Sequence, residues 1–162
     1  MIEMKEEGFK VEFDKNSIKE LKKYQQKNGE YESGGILVGE IYPIENKVIV
    51  KDIIVSKKAK RSFMGINIDK KEMQEELEKI RKNTNYRYYY IGDWHTHPEK
   101  NPKPSWIDKV SYKKTLRTII LQTNFVVFLI VGNGDDIMNS LWLKTYFLKR
   151  YNTPRIKTKN FC

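Results

Sequence analysis

The sequence contains one cysteine, Cys162, and it is the final residue. No internal disulfide can form, and every zinc site built on two or more cysteines is excluded. Histidine is nearly as scarce, with only His95 and His97, so a metal site would have to combine these imidazoles with carboxylates. Five prolines and nine glycines are too few and too scattered to mark a linker, and no internal repeat or low-complexity tract is present. Long apolar runs are missing too. The longest, Phe125 to Val131, has seven residues against the roughly 20 that a membrane helix requires. The first residues, Met1-Ile2-Glu3-Met4-Lys5-Glu6-Glu7, have no apolar signal core. The expectation is a soluble, unexported, cytoplasmic protein with no membrane partner.

Arginine is rare among the cations. Lys and Arg number 31 against 21 Asp and Glu, a net charge of +10, but only six of the 31 are Arg. Bidentate recognition of phosphates and bases favours Arg over Lys. Half of the excess, +5, comes from Lys149, Arg150, Arg155, Lys157 and Lys159, with no acid from position 149 onward. Residues 151–162 therefore read as a basic tail behind a domain spanning 1–150. Net charge argues for non-specific attraction and not for a chemistry, so nucleic-acid binding is not expected as the main function.

What is abundant is aromatic: 3 Trp, 10 Tyr and 7 Phe, within a hydrophobic fraction of 39%. A disordered chain would lack them. At 162 residues one domain is expected, with roughly 70% of the unfolded surface buried. Phe9-Lys10-Val11-Glu12-Phe13 alternates as a half-buried strand. Asn16 or Ser17 then caps a helix carrying Ile18, Leu21 and Tyr24 and ending near Asn28-Gly29. Gly34 to Tyr42 and Lys47 to Ser56 read as strands joined by a turn at Pro43-Ile44-Glu45-Asn46. Lys57 to Ile68 looks irregular and basic. A helix follows from Asp69, with Glu72 completing a capping box and Met73, Leu77 and Ile80 as the apolar stripe, stopping at Asn83-Thr84-Asn85. Tyr86 to Trp94 is a strand by its aromatic content, and Ser105 with Asp108 caps a helix through Val110, Leu116 and Ile119. Asn124 to Val131 and Leu141 to Leu148 are the last strands, with Gly132 to Asp136 turning between them. Interleaved strands and helices make the class α/β with a mixed sheet flanked by helices.

The two histidines stand two apart at a strand end, where positions i and i+2 share a face roughly 7 Å apart at the backbone, so both imidazoles can converge on one cation. Asp108, in the first turn of the next helix, can fold back as a third ligand, giving a His₂Asp site of the open zinc type with a fourth position for water. Ser105 and Asp108 also read as an ordinary capping box, and both roles are compatible. Asp93 shares the histidines' strand face, as an orienting partner for an imidazole or as an ordinary hydrogen-bonded carboxylate; Thr96 faces away; Trp94 and Trp106 read as packing.

His95-Thr96-His97, seven residues, Ser105, two residues and Asp108 together resemble the JAMM motif of the MPN (also called JAB) metalloprotease family. Glu32, in Glu32-Ser33-Gly34-Gly35-Ile36-Leu37-Val38-Gly39, resembles the upstream glutamate that the family requires. The resemblance implies an MPN/JAB-type domain and one Zn²⁺ on His95, His97 and Asp108, with Glu32 as general base and Ser105 as hydrogen-bond donor to the oxyanion. Competing zinc signatures fail: there is no His-Glu-x-x-His, and the cysteine ligands of a deaminase are missing.

Members of the family that keep these residues resemble zinc isopeptidases, which cleave ubiquitin-like proteins from lysines or process them near a C-terminal diglycine. The compact form without a second zinc is similar to bacterial stand-alone members, including deconjugating proteases of anti-phage signalling operons and others that release sulfur carriers. The resemblance also implies a flap over the substrate's extended tail at Arg61-Ser62-Phe63-Met64-Gly65-Ile66. The partner expected is a ubiquitin-like conjugate or a protein C-terminal tail. An inactive scaffold and a DNA-associated protein are the alternatives.

Overall fold

A computed structural model of the chain describes residues 2–6, 8–62, 65–119 and 123–148. The basic tail expected at 151–162 lies outside these residues, as do Phe63 and Met64.

Strands β1 (Ile2–Glu6), β2 (Phe9–Phe13), β3 (Gly34–Tyr42), β4 (Lys47–Val55), β7 (Tyr89–Thr96), β8 (Phe125–Val131) and β9 (Leu141–Phe147) form one mixed sheet in the order β1-β2-β4-β3-β7-β8-β9. The pairs β2·β4 and β7·β8 are parallel and the others antiparallel. A two-stranded hairpin, β5 (Lys60–Ser62) with β6 (Gly65–Asn67), stands apart from it.

Every residue of β8 is apolar and buried, as befits a strand covered on both faces. On one face α1 (Lys15–Lys23) supplies Leu21, Ile18 and Tyr24 to a core with Val11, Phe13, Leu37, Val50, Trp94 and Leu129. On the other face α2 (Lys70–Asn83) packs Met73, Leu77 and Ile80 on Ile36, Val38 and Ile54. Beside it α3 (Trp106–Thr118) packs Tyr112 and Leu116 on Val126 and Phe128. The expected α/β class with a helix-flanked mixed sheet is the fold observed.

Several expected boundaries differ. Asp14 caps α1, accepting from Asn16 N; Ser17 is instead buried, its hydroxyl donating to Asp14 O and Val50 O. That helix ends at Lys23 rather than near Asn28. Strand β1 was not anticipated, because its charged residues hide an edge strand's alternation. The stretch 57–68 is not wholly irregular, since it contains β5 and β6. Strand β7 starts at Tyr89, not Tyr86, because Asn85 and Tyr86 take positive φ in the connection after α2. A short 3₁₀ turn, Ile137–Ser140, precedes β9.

One irregularity bears on the site. Leu37 pairs with Gly92 and Val38 with Tyr90, so Ile91 is an extra residue in β7. The bulge puts Ile91 and Trp94 into the α1-side core and brings Tyr90 to the same side as Asp93, whose Oδ1 accepts from the Tyr90 hydroxyl at 2.7 Å.

Candidate active site

The end of β7 carries both histidines, and its register places Gly34 of β3 opposite His95. A Cβ on Gly34 would stand 2.8 Å from Trp94 O and 3.1 Å from the His95 Cβ. Only glycine allows this approach. Past the strand, His97 N donates to Val131 O at 2.9 Å, holding the second imidazole against β8.

Thr96 faces the other way, as expected, and ties down the segment that holds Glu32. Its Oγ1 accepts from Ser33 N at 2.9 Å and donates to Gln26 Oε1 at 3.3 Å, while its N–H donates to Ser33 O at 2.9 Å. The neighbouring Glu32 is thereby brought to His97, with Oε1 3.7 Å from Nε2.

Helix α3 delivers the next two residues. Ser105 Oγ accepts from Asp108 N at 3.2 Å, and Asp108 Oδ2 accepts from Ser105 N at 2.6 Å, so the reciprocal capping box is complete. The box leaves the Asp108 carboxylate facing the imidazoles: Oδ1 lies 3.2 Å from His95 Nε2 and Oδ2 3.4 Å from His97 Nε2. The two Nε2 atoms are 3.1 Å apart.

The loop between histidines and helix is pinned from the β8–β9 connection by groups that sequence reading did not single out. Asn133 Nδ2 donates to Pro98 O, Asn133 N to Glu99 O, and the Ser140 hydroxyl to Lys100 O. Gly132 permits the approach, since a Cβ there would stand 2.3 Å from Glu99 O. These residues are separated from the motif by a whole strand and carry no sequence signal of their role beyond turn composition.

Electrostatics separate the carboxylates. Burial would raise Asp108, but hydrogen bonds from His95 and His97, their charge and the Ser105 contact hold it well below the usual carboxylate range. Burial pushes Glu32 up, and the pull of the two imidazoles only partly offsets it. For His97 burial works against the charged form, yet Asp108 and Glu32 outweigh it and raise the pKa. Burial lifts Asp93 to about 6, against the Tyr90 hydrogen bond that lowers it.

Of the expected site residues, the structure therefore brings Glu32, His95, His97, Ser105 and Asp108 together. Glu32, His95 and His97 each offer a ligand atom within 4.8 Å of the others, so Glu32 belongs to the same cluster as the expected His95, His97 and Asp108 set. Two imidazole nitrogens facing carboxylate oxygens, with Glu32 Oε2 buried and lacking a hydrogen-bond partner, fit a divalent transition metal. The hairpin also reaches the site: Ile66 Cδ1 comes within 3.3 Å of the Cβ position on Gly34, and Ile107 of α3 within 3.9 Å of that on Gly65. Trp94 is fully buried, but Trp106, expected to pack, is 77% exposed beside Ser105.

Residues 14–144 match the family model described as prokaryotic homologs of the JAB domain. The chain belongs to the prokaryotic JAB-domain family. It is 29% identical over 133 residues to a probable metalloprotease, y4qB, of Sinorhizobium fredii (strain NBRC 101917 / NGR234), spanning 78% of this chain and 79% of that protein. It is 33% identical over 104 residues to a CD-NTase/cGAS isopeptidase of Escherichia coli (strain TW11681), covering 64% of each chain. A shorter match, 40% identical over 48 residues, is to a CD-NTase/cGAS isopeptidase of Vibrio cholerae (strain ATCC 39315 / El Tor Inaba N16961), covering 30% of this chain and 28% of that one. The fold is similar to the solution structure of a Desulfitobacterium hafniense protein, with a TM-score of 0.54, 17% identity and coverage of 86% and 85%. The first of these relatives is named a probable metalloprotease and the next two isopeptidases, while the solved structure shares the fold alone.

Proposed function

We propose that this protein is a zinc-dependent isopeptidase that releases a ubiquitin-like conjugate at its C-terminus in the bacterial cytoplasm, undoing the product of a ubiquitin-like transfer system. The observation that carries the reading is the convergence of Glu32, His95, His97 and Asp108 within 3.7 Å contacts, capped by Ser105. Two relatives are named CD-NTase/cGAS isopeptidases, which supports an isopeptide-linked protein conjugate as the substrate class.

His95, His97 and Asp108 would hold the metal, with Asp108 kept ionised by its imidazole and Ser105 contacts. Zinc, when bound, supplies Lewis acidity toward the scissile carbonyl and toward water. Glu32, not needed as a ligand, takes the proton from water and returns it to the leaving amine; a carboxyl raised by burial suits both halves of that exchange. The Ser105 Oγ accepts from Asp108 N, which leaves its own proton free to donate to the oxyanion. Losing one such donor costs about 2.7–4 kcal/mol of transition-state stabilisation. Arg61, Ser62, Gly65 and Ile66 of the hairpin would receive the extended tail by strand addition; Phe63 and Met64 belong to the same proposal by sequence alone.

Metal analysis of purified protein tests the reading. One zinc per chain, lost in His97→Ala, is the expected result; a metal-free wild type, or full zinc in His97→Ala, would show the assignment to be wrong.

A further inference from the structure

Helix α3 turns three sides to three environments. Asp108 points to the cluster, and Tyr112 and Leu116 point to the core at Val126 and Phe128. Ser111, Thr115 and Thr118 line a groove of about 660 Å³ shared with α2. On the remaining side, Trp106, Val110, Lys113 and Arg117 fall within about 60° of one another at 3.6 residues per turn, with Lys109 and Lys114 at its borders. All six are exposed.

That side is unusual in two respects. Trp106 is 77% and Val110 46% exposed; with Ile107, the first five residues of α3 supply three of the seven large apolar side chains exposed among the described residues. The same side holds four cations and no acid, because Asp108, the one carboxylate of α3, is buried in the cluster. Lys109, Lys113, Lys114 and Arg117 pair with no carboxylate among the described residues. On α2, by contrast, Lys71, Lys79 and Arg81 lie beside Glu75, Glu76 and Glu78. Helix α1 is rich in lysine too, but Ile18 and Leu21 face the core and it exposes no large apolar residue. Of the three helices, α3 alone combines unpaired charge with exposed apolar surface.

We propose that this outward face of α3 is a docking surface for an acidic amphipathic helix of a partner protein. Trp106 and Val110, one turn apart, form a seam for apolar side chains at i and i+3 or i+4 of that helix. Lys109 on one border and Lys114 on the other receive carboxylates flanking the seam, and Lys113 and Arg117 carry the charge along it. Apolar anchors decide between protein and nucleic acid. A buried tryptophan is the kind of side chain that dominates a protein interface. A single strand of nucleic acid would need successive aromatic platforms, of which α3 has one, and Val110 would gain nothing from phosphates. The face is about 20 Å long and one helix wide, smaller than one side of a standard interface, so the contact is weak and transient. The inference goes beyond the hydrolase reading and does not depend on it, since it involves neither metal nor turnover.

The test is fluorescence anisotropy of full-length protein with a labelled helical peptide of about 18 residues, long enough to span α3. The peptide carries leucine along one face and glutamate on both sides of it. Wild-type protein should bind with a Kd of order 10 µM at low salt. Trp106→Ala should weaken this about tenfold or more, and Val110→Ser should do so as well if the Trp106 variant does not fold. Lys109→Glu with Lys114→Glu should weaken it similarly and should bind instead the twin peptide that has lysine in place of glutamate. A peptide of the same composition with its leucines scattered around the helix should bind about fivefold less tightly. Equal binding of ordered and scattered peptides, full affinity in both apolar variants, or no binding by wild type overturns the proposal. So does tighter binding of an oligothymidine of about 15 nucleotides that is lost in Trp106→Ala, which would identify a nucleic-acid surface.

Discussion

At the scale of single residues, the two carboxylates of the cluster have opposite electrostatics, and that separates their expected phenotypes. Glu32→Gln should keep zinc near the wild-type level and lower turnover by about 10²–10⁴-fold, because an amide can hydrogen-bond water but cannot accept its proton. Turnover and metal content measured on one preparation check this, and undiminished hydrolysis would remove Glu32 from the proton transfer. Thr96→Val tests the support behind it. Thr96 is fully buried, and the substitution leaves the half-buried Ser33 N without its acceptor, which should cost about 1 kcal/mol in urea unfolding. It should also reduce turnover more than zinc content, since Thr96 positions the Glu32 segment and not the histidines. Thr96 lies inside the motif, and its alternation to the opposite face was legible from strand periodicity alone; that it holds the Glu32 segment was not, because Ser33 and Gln26 are more than 60 positions away.

The element of greatest functional interest is the β5–β6 hairpin, and its anchor is Glu72. Asp69 Oδ1 accepts from Glu72 N as a helix cap should, but the Glu72 carboxylate does not complete the expected box. It reaches out of the helix instead, accepting from the Ser56 hydroxyl at 2.8 Å and from Lys57 N and Lys58 N at 3.0 and 3.1 Å. Burial would raise this carboxyl, and the three hydrogen bonds more than reverse that, so its pKa in the folded protein is lowered. A lowered folded pKa contributes stability that is present above the unfolded value of about 4.3 and is lost as the pH falls through the folded one. Glu72→Gln should therefore flatten the fall of melting temperature on acidification below about pH 5, read by thermal unfolding across that range; an unchanged slope would remove Glu72 as a source of acid sensitivity. A second variant, Ile66→Pro, removes a backbone donor from β6. It should raise KM for a protein-sized conjugate much more than for a short peptide with zinc still bound, and equal effects on both would detach the hairpin from substrate binding.

For the molecule as a whole, Trp94 links the layers. It is fully buried, its indole N–H donates to Ile54 O at 3.3 Å, and its ring lies 5.9 Å from that of Tyr24 on α1. Trp94→Ala should cost about 3–5 kcal/mol of unfolding free energy, measured by denaturant titration, and a loss under 1 kcal/mol would mean that the space is refilled by its neighbours. The charge of +10 acts at the same scale. It implies weak attraction to polyanions that fades steeply with salt. No helix among the described residues is long and apolar enough to cross a membrane.

Sequence alone was enough for the class of fold and for which residues converge at the candidate site. Residue types and spacing in His95, His97, Ser105 and Asp108 are local, since a strand end and a helix cap put their side chains where periodicity says they go. The α/β alternation follows from equally local patterns of apolar residues. The tertiary structure decided what depends on contacts between distant segments. The bulge at Ile91 arises from pairing with β3, the loop after His97 is pinned by Asn133 and Ser140, and Glu72 leaves its own helix for the base of the hairpin. A cavity beside Glu32, with Tyr31, Ser62 and Pro98 in its walls, exists only because the loop before β3, the loop after β7 and the hairpin meet there. Such contacts are selected by the packing of the whole sheet, whose energetics no short window of sequence contains.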